Sequence, residues 1–206
     1  MNITEEKYIM KSIYTVIMLV MLAGMAFAAD RLVLLEDFTN CSCSYCWNFE
    51  PSLNRFISDY SDKIAVVRTH VSWPSSSDPI YTANPSEQNY RKILYGVNGI
   101  PWIQLDGVIH PSSSYSGMSS AYNARMTVPC HLEIQVENLV SDGSGTIRII
   151  LIAEEDLIDE YLKAHAILVE NGVPGTGYFA GTTFEQAFRE ELFGSVGQSI
   201  SFGTTY

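Results

Sequence analysis

The chain has 206 residues, enough to bury a sizeable core in one large or two small domains. Apolar residues make up 47% and charged residues 17%, as in an ordinary globular protein. The formal net charge of -11 argues against a nucleic-acid or anionic-membrane partner, because such partners need surfaces of clustered Lys and Arg.

The first residues have the pattern of a secretory signal peptide. Lys7 and Lys11 precede an apolar run over residues 13–27, and Ala28 completes an Ala-x-Ala cleavage pattern. We therefore expect residues 1–28 to be removed on export to the periplasm, the extracellular space or the cell surface. An uncleaved segment is the alternative, and it is the only membrane association that the sequence suggests.

Residues 31–38 are apolar on both alternating faces, which predicts a central strand covered on both sides. Residues 47–60 place apolar side chains at helical spacing, and Pro51 predicts either a kink or the first turn of a helix. Residues 63–71 are rich in β-branched side chains and predict a second strand. A strand, helix and strand of these lengths indicate a right-handed unit with parallel strands.

In such a unit, ligands gather at the carboxyl ends of the strands. Cys43 follows the first strand, and the stretch from His70 to Trp73 follows the second. These residues are therefore expected to face the same crevice.

The next segment predicts a long loop over residues 74–85 and then a helix that begins near Pro85 and ends at Gly96. Its buried stripe is expected to contain Tyr90, Ile93 and Leu94. Short strands are predicted over residues 102–105 and 108–110, followed by a helix over residues 115–126. The predicted order is βαβαββα, in an α/β domain of residues 29–127.

From residue 128 onward the pattern predicts a mainly antiparallel, sandwich-like β domain that extends to residue 206. Strands are expected over residues 131–138, 146–153 and 164–170, because these stretches are rich in alternating apolar side chains. Thr183 and Gln186 have the spacing of a capping box, which predicts a short amphipathic helix up to residue 192. A last strand over residues 199–202 stands at the end of the chain, which is compatible with an incomplete domain.

The stretch Cys43-Ser44-Tyr45-Cys46 lies between the first strand and the first helix. A cysteine in the first turn of a helix lies where free backbone N–H groups favour a thiolate over a thiol. The second cysteine is close enough for an exchangeable disulfide, so the motif predicts reversible dithiol chemistry. All four cysteines follow the predicted cleavage site and would meet an oxidising compartment.

The surrounding residues resemble the active-site pattern of the thioredoxin-like superfamily. Four residues separate Asp37-Phe38 from Cys43, Pro51 comes five residues after Cys46, and Gly99-Ile100-Pro101 resembles the cis-proline segment of that family. The resemblance covers about residues 31–127. The chain is also similar to exported bacterial proteins that join such a domain to a carboxyl-terminal β-sandwich.

The resemblance implies a role for each matched residue. Cys43 would be the attacking thiolate and Cys46 the resolving thiol. Asp37 would be the buried carboxylate that assists proton transfer at the resolving cysteine, although Glu36 competes for the inward face.

The remaining matched residues would bind the substrate. Pro101 would follow a cis peptide bond, and the backbone of Ile100 would pair with an extended substrate. Ser44 and Tyr45 replace the usual Gly-Pro between the cysteines and would tune the redox potential, while Trp73 would line the binding surface.

The implied function is extracytoplasmic thiol–disulfide exchange on protein thiols and disulfides, with an unidentified redox partner and no cofactor. Two alternatives stay open. One is binding of copper or zinc by Cys41, Cys43, Cys46 and His70. The other is an exported binding or surface protein whose disulfide is structural. Cys41 and Cys130 are expected to be free or joined to each other.

Overall fold

The computed structural model describes residues 31–141, 144–153 and 162–200, so the predicted signal peptide lies outside the described residues. Described residues 31–129 and 162–200 belong to one compact unit, and described residues 130–153 belong to a second. In the described part of the chain, no helix has the length and apolar character needed to cross a membrane.

The first unit is built on a mixed sheet with β1 (Val33–Thr39) near its centre. β1 pairs in parallel with β2 (Ile64–His70) and antiparallel with β3 (Trp102–Leu105). The parallel pair confirms the predicted strand, helix and strand unit. The strand predicted over residues 108–110 is reduced to one isolated bridge between Leu105 and Ile109.

Four α-helices lie in the described residues. They are α1 (Ser44–Asp59), α2 (Pro79–Ala83), α3 (Pro85–Leu94) and α4 (Tyr115–Met126). α1 begins at Ser44, because Cys43 caps its first turn. The helix continues through Pro51. α1 and α4 bury Leu53, Phe56 and Met118 in one core cluster with β1 and β3.

The predicted loop over residues 74–85 contains α2. The Asp78 side chain accepts hydrogen bonds from the N–H groups of Ile80 and Tyr81, and Pro79 begins the helix. An acidic cap followed by Pro is a recognised helix start, so the Asp-Pro pair is the signal that the loop prediction missed.

The carboxyl-terminal segment extends the central sheet. β7 (Ile167–Glu170) and β10 (Ala187–Glu191) pair antiparallel, and β10 lies beside β2, which gives the order β3-β1-β2-β10-β7. The sequence instead placed these residues in a sandwich-like domain of their own, and the helix predicted over residues 183–192 is wrong. Pairing with β2 and β7 overrides the local helical pattern, since strand preference depends on tertiary neighbours.

Six further strands are short or pair outside this sheet. β4 (Leu132–Ser141) and β5 (Ser144–Ala153) form the antiparallel hairpin of the second unit, as the alternating pattern predicts. Two short antiparallel pairs complete the described strands: β8 (Val173–Pro174) with β9 (Thr183–Phe184), and β6 (Lys163–Ala164) with β11 (Gln198–Ser199).

The buried face of α3 is polar, which corrects the predicted apolar stripe. Ile93 and Leu94 are exposed, whereas Gln88 and Arg91 are buried. Arg91 donates to Glu36 of β1 at 2.6 and 2.8 Å and to Glu191 of β10 at 2.9 Å. The two buried carboxylates explain why Arg91 is buried at this helix position, because an unpaired buried charge is costly.

We expect Arg91→Met to lower the free energy of unfolding by about 3–5 kcal/mol, because it leaves Glu36 and Glu191 buried without their cation. The control is Arg189→Met, which removes the more exposed ion pair with Glu170 and should cost no more than about 1 kcal/mol. Urea unfolding measures both losses. Equal losses in the two variants would show that the buried triad does not carry this share of the stability.

Candidate functional site

The Cys-x-x-Cys motif lies at the amino end of α1, directly after the central strand. Cys43 and Cys46 form a disulfide, with their Cα atoms 5.2 Å apart. Cys43 is the N-cap residue, and its sulfur accepts a hydrogen bond of 3.0 Å from the Cys46 N–H. Cys43 is 5% exposed and Cys46 is 2% exposed. The Cys43 sulfur therefore lies at the positive end of α1, where a backbone N–H group donates to it.

Asp37 is buried in β1, and its Oδ2 atom has no hydrogen-bond partner. The nearest cation is Arg68, whose Nη1 lies 3.7 Å from this oxygen but only 2.7 Å from Oε1 of Glu50. Burial raises the pKa of Asp37 to about 7, with Arg68 opposing the shift and Glu50 reinforcing it. This carboxyl group can therefore gain or lose a proton near neutral pH.

Glu36, the alternative acid on the same strand, is also buried, but both of its carboxylate oxygens accept hydrogen bonds. It accepts hydrogen bonds from Arg91 and from the Tyr95 hydroxyl, the latter at 2.5 Å. Its partners hold it in an ion-pair network, whereas Asp37 keeps an unpartnered oxygen. Of the two acids, Asp37 is the one available for proton transfer.

The segment that resembles the cis-proline segment lies beside the disulfide. The bond between Ile100 and Pro101 is cis, as the sequence predicts. Ile100 packs against the buried cluster that contains Cys43 and Cys46 and also against the cluster around Phe38. Of this predicted substrate-binding pair, Ile100 therefore contacts the same buried cluster as the cysteines.

The other three predicted substrate-binding residues differ in exposure. Ser44 is half-buried in the first turn of α1, and Tyr45 is 76% exposed between the two cysteines. Trp73 is half-buried against the Phe38 cluster, and the Lys92 ammonium lies 4.9 Å from its ring centre. Ile100 contacts this cluster as well as the cluster that contains the cysteines.

His70 and Cys41 lie in a buried polar cluster that includes Asp78. Oδ2 of Asp78 is 2.8 Å from Nδ1 of His70 and accepts a hydrogen bond of 2.6 Å from the Cys41 N–H. The sequence placed Cys41 and His70 in a metal site with Cys43 and Cys46, but the latter two are joined in the disulfide. The predicted loop over residues 74–85 gives no reason to place Asp78 in this cluster.

The two remaining cysteines carry free thiols. Cys41 is fully buried, and burial raises its pKa to about 11. Cys130 is half-buried and donates its S–H to the Leu132 carbonyl at 3.2 Å. The predicted alternative of a bond between them is therefore not the state seen here.

A segment of the carboxyl-terminal region forms a wall beside the cysteines. The 3-10 turn Gly177–Phe179 docks on the backbone before the motif, with the Tyr178 N–H donating to the Cys41 carbonyl at 2.9 Å. Gly177 has φ +56, and a Cβ there would lie 2.6 Å from the same carbonyl oxygen, so a side chain has no room. Phe179 meets Trp47 edge-on at 5.2 Å, and a groove of about 380 Å³ lies between this wall and α1.

Comparisons with known proteins identify a shared fold. No family model and no curated protein matches the chain. The structure is similar to HBP35 of Porphyromonas gingivalis, with a TM-score of 0.70, 15% identity and coverage of 84% of this chain and 60% of that one. It is also similar to a structural-genomics target from Agrobacterium tumefaciens, with a TM-score of 0.56, 16% identity and coverage of 80% and 73%.

The chain therefore spans about 60% of the length of the HBP35 structure. At these identities the likeness concerns the fold. It supports a mixed α/β architecture with a five-stranded sheet, four described helices and additional antiparallel strands.

Asp37 is expected to make the stability of the oxidised protein depend on pH. Its folded-state pKa of about 7 lies above its ordinary value of 3.8, so between these values the folded chain holds a proton that the unfolded chain has released. With respect to Asp37, the free energy of unfolding is highest below pH 4 and falls as the pH rises towards 7. Asp37→Asn should remove that loss, which is on the order of a few kcal/mol.

The measurement is urea unfolding of wild type and Asp37→Asn between pH 4 and pH 8. The advantage of the variant should grow with pH, while the exposed control Asp62→Asn should follow wild type at every pH. A constant difference between Asp37→Asn and wild type would show that Asp37 has an ordinary pKa.

Proposed function

We propose that the protein is a thioredoxin-like thiol–disulfide oxidoreductase that acts on protein substrates through Cys43 and Cys46. The observation that carries this proposal is the disulfide at the N-cap of α1, which follows the carboxyl end of a central parallel strand and belongs to the buried cluster that Ile100 packs against. A disulfide that only staples a loop needs neither the helix-cap position nor a buried acid in the preceding strand.

In the reducing direction, the Cys43 thiolate attacks one sulfur of a substrate disulfide. A mixed disulfide forms, and the first substrate sulfur leaves as a thiolate. Cys46 then loses its proton and attacks Cys43, so that the second substrate thiolate leaves and the pair is oxidised. Two electrons pass from the Cys43 and Cys46 dithiol to the substrate, and a thiol or dithiol partner must reduce the pair for the next cycle.

Asp37 would accept the proton of Cys46. With a pKa of about 7, its carboxyl group is ionised in part of the population and can return the proton in the reverse direction. The contact of Arg68 with Glu50 supports this role, because it draws the guanidinium away from the Asp37 oxygen.

The substrate would be an extended polypeptide segment. Ile100 would offer its backbone to that segment for strand-like pairing, as the resemblance to the thioredoxin-like superfamily implies. Ser44 and Tyr45 would lie beneath it, and the groove lined by Trp47 and Phe179 would take a neighbouring side chain. Trp73 would border the other side of the site.

The amino-terminal pattern supports work outside the cytoplasm, in the periplasm, the extracellular space or at the cell surface. A disulfide persists in such a compartment. We expect an exported chain to begin at Ala29. Amino-terminal sequencing of the protein recovered after expression with export tests this, and a recovered chain that keeps residues 1–28 would support the uncleaved anchor instead.

The function is tested by redox titration of the mature protein in glutathione buffers, with alkylation and mass measurement of the Cys43 and Cys46 peptide. We expect a reversible two-electron transition within roughly -120 to -270 mV, the span of known exchange proteins. Cys43→Ser and Cys46→Ser should each abolish it. Cys130→Ser is the control and should leave it unchanged.

A pair that stays oxidised below about -300 mV would contradict the proposal. It would mark a structural disulfide and favour the interpretation as an exported binding protein.

A further inference from the structure

A second group of reactive side chains lies beside the redox pair and takes no part in the exchange reaction. Cys41 follows β1, His70 ends β2 and Asp78 caps α2. Because β1 and β2 are parallel neighbours, their carboxyl ends bring Cys41 and His70 together, and the short helix supplies the carboxylate. One donor atom from each residue, a sulfur, a nitrogen and an oxygen, lies within 4.8 Å of the other two.

We propose that Cys41, His70 and Asp78 form a binding site for a divalent transition-metal ion, with Zn²⁺ as the best match to the donors. Zn²⁺ accepts thiolate, imidazole and carboxylate ligands at about 2.0–2.3 Å. Tetrahedral angles at such bond lengths separate the donors by roughly 3.2–3.8 Å. Side-chain shifts of about an ångström therefore suffice to close the site on an ion.

The hydrogen bonding of His70 supplies an independent reason. The imidazole is fully buried, its Nδ1 is paired with Asp78, and its Nε2 has no hydrogen-bond partner. An ion bound by Nδ1 of His70 and Oδ2 of Asp78 would replace the proton that now lies between these two atoms, which are 2.8 Å apart.

The charges of the cluster also fit a divalent cation. The Asp78 carboxylate accepts hydrogen bonds from the N–H groups of Cys41, Ile80 and Tyr81. In the described residues, the ion-pair partner of Asp78 is His70 and no Lys or Arg. Binding would release the Cys41 thiol proton to solvent, and the thiolate and the carboxylate would together balance the two positive charges.

This site is distinct from the four-ligand set that the sequence suggests, and it does not depend on the proposed redox function. Cys43 and Cys46 stay joined in their disulfide while the ion is bound.

The test uses Co²⁺ as a spectroscopic probe on the full mature chain carrying Cys130→Ser, with the Cys43 and Cys46 disulfide intact. On this background only Cys41 can supply a thiolate. We expect a thiolate-to-cobalt charge-transfer band that saturates at one ion per chain and is displaced by Zn²⁺. Cys41→Ser should abolish the band, and His70→Gln and Asp78→Asn should each weaken binding about 10- to 100-fold.

Ser42→Ala is the matched control, since it changes the neighbouring side chain and should bind Co²⁺ as the background does. Near-ultraviolet circular dichroism checks that each variant is folded. X-ray absorption of the Zn²⁺ complex of the Cys130→Ser protein gives a measurement that needs no further variant, with one sulfur neighbour expected at about 2.3 Å. Absence of the charge-transfer band, its persistence in Cys41→Ser, or a zinc shell without sulfur would each overturn the proposal.

Discussion

Two adjacent acids on a strand with no access to solvent are the constraint on which much of the structure depends. Glu36 and Asp37 point to opposite faces of β1, and both are buried. A buried carboxylate is stable only when it is paired or protonated. On one face Arg91 pairs with Glu36, and on the other Arg68 leaves Asp37 only partly compensated. One acid therefore holds elements together, while the other stays free to exchange a proton.

The ion pair on the first face explains how distant parts of the chain meet. Arg91 of α3 contacts Glu36 of β1 and Glu191 of β10, so one guanidinium links a helix to strands separated by about 150 residues. The pairing orders the carboxyl-terminal segment against the central sheet. That segment in turn places the Gly177–Phe179 turn on the backbone of Cys41, beside the redox pair.

The carboxyl ends of the two parallel strands concentrate the chemistry. Cys43 caps the helix after β1, and His70 ends β2 in contact with Asp78. The two groups differ in how their polar atoms are satisfied. The Cys43 sulfur receives an N–H bond from its own helix, which suits a leaving and returning thiolate. The Cys41 cluster is sealed from solvent, which suits a ligand that stays in place.

The sequence by itself determined the elements whose signals are local. β1 has an apolar run, β2 has a β-branched run, and α3 and α4 have helix start and stop signals. Each of these signals depends on neighbours a few residues away, and all four elements are present. The Cys-x-x-Cys is visible in the sequence itself, whereas the cis bond before Pro101 was expected only from the resemblance to a known active-site pattern. Only the tertiary structure decided that residues 187–191 form a strand, that α3 buries Arg91 and that Asp78 joins Cys41. These outcomes depend on pairing and charge compensation between residues far apart in the chain, which local patterns do not encode.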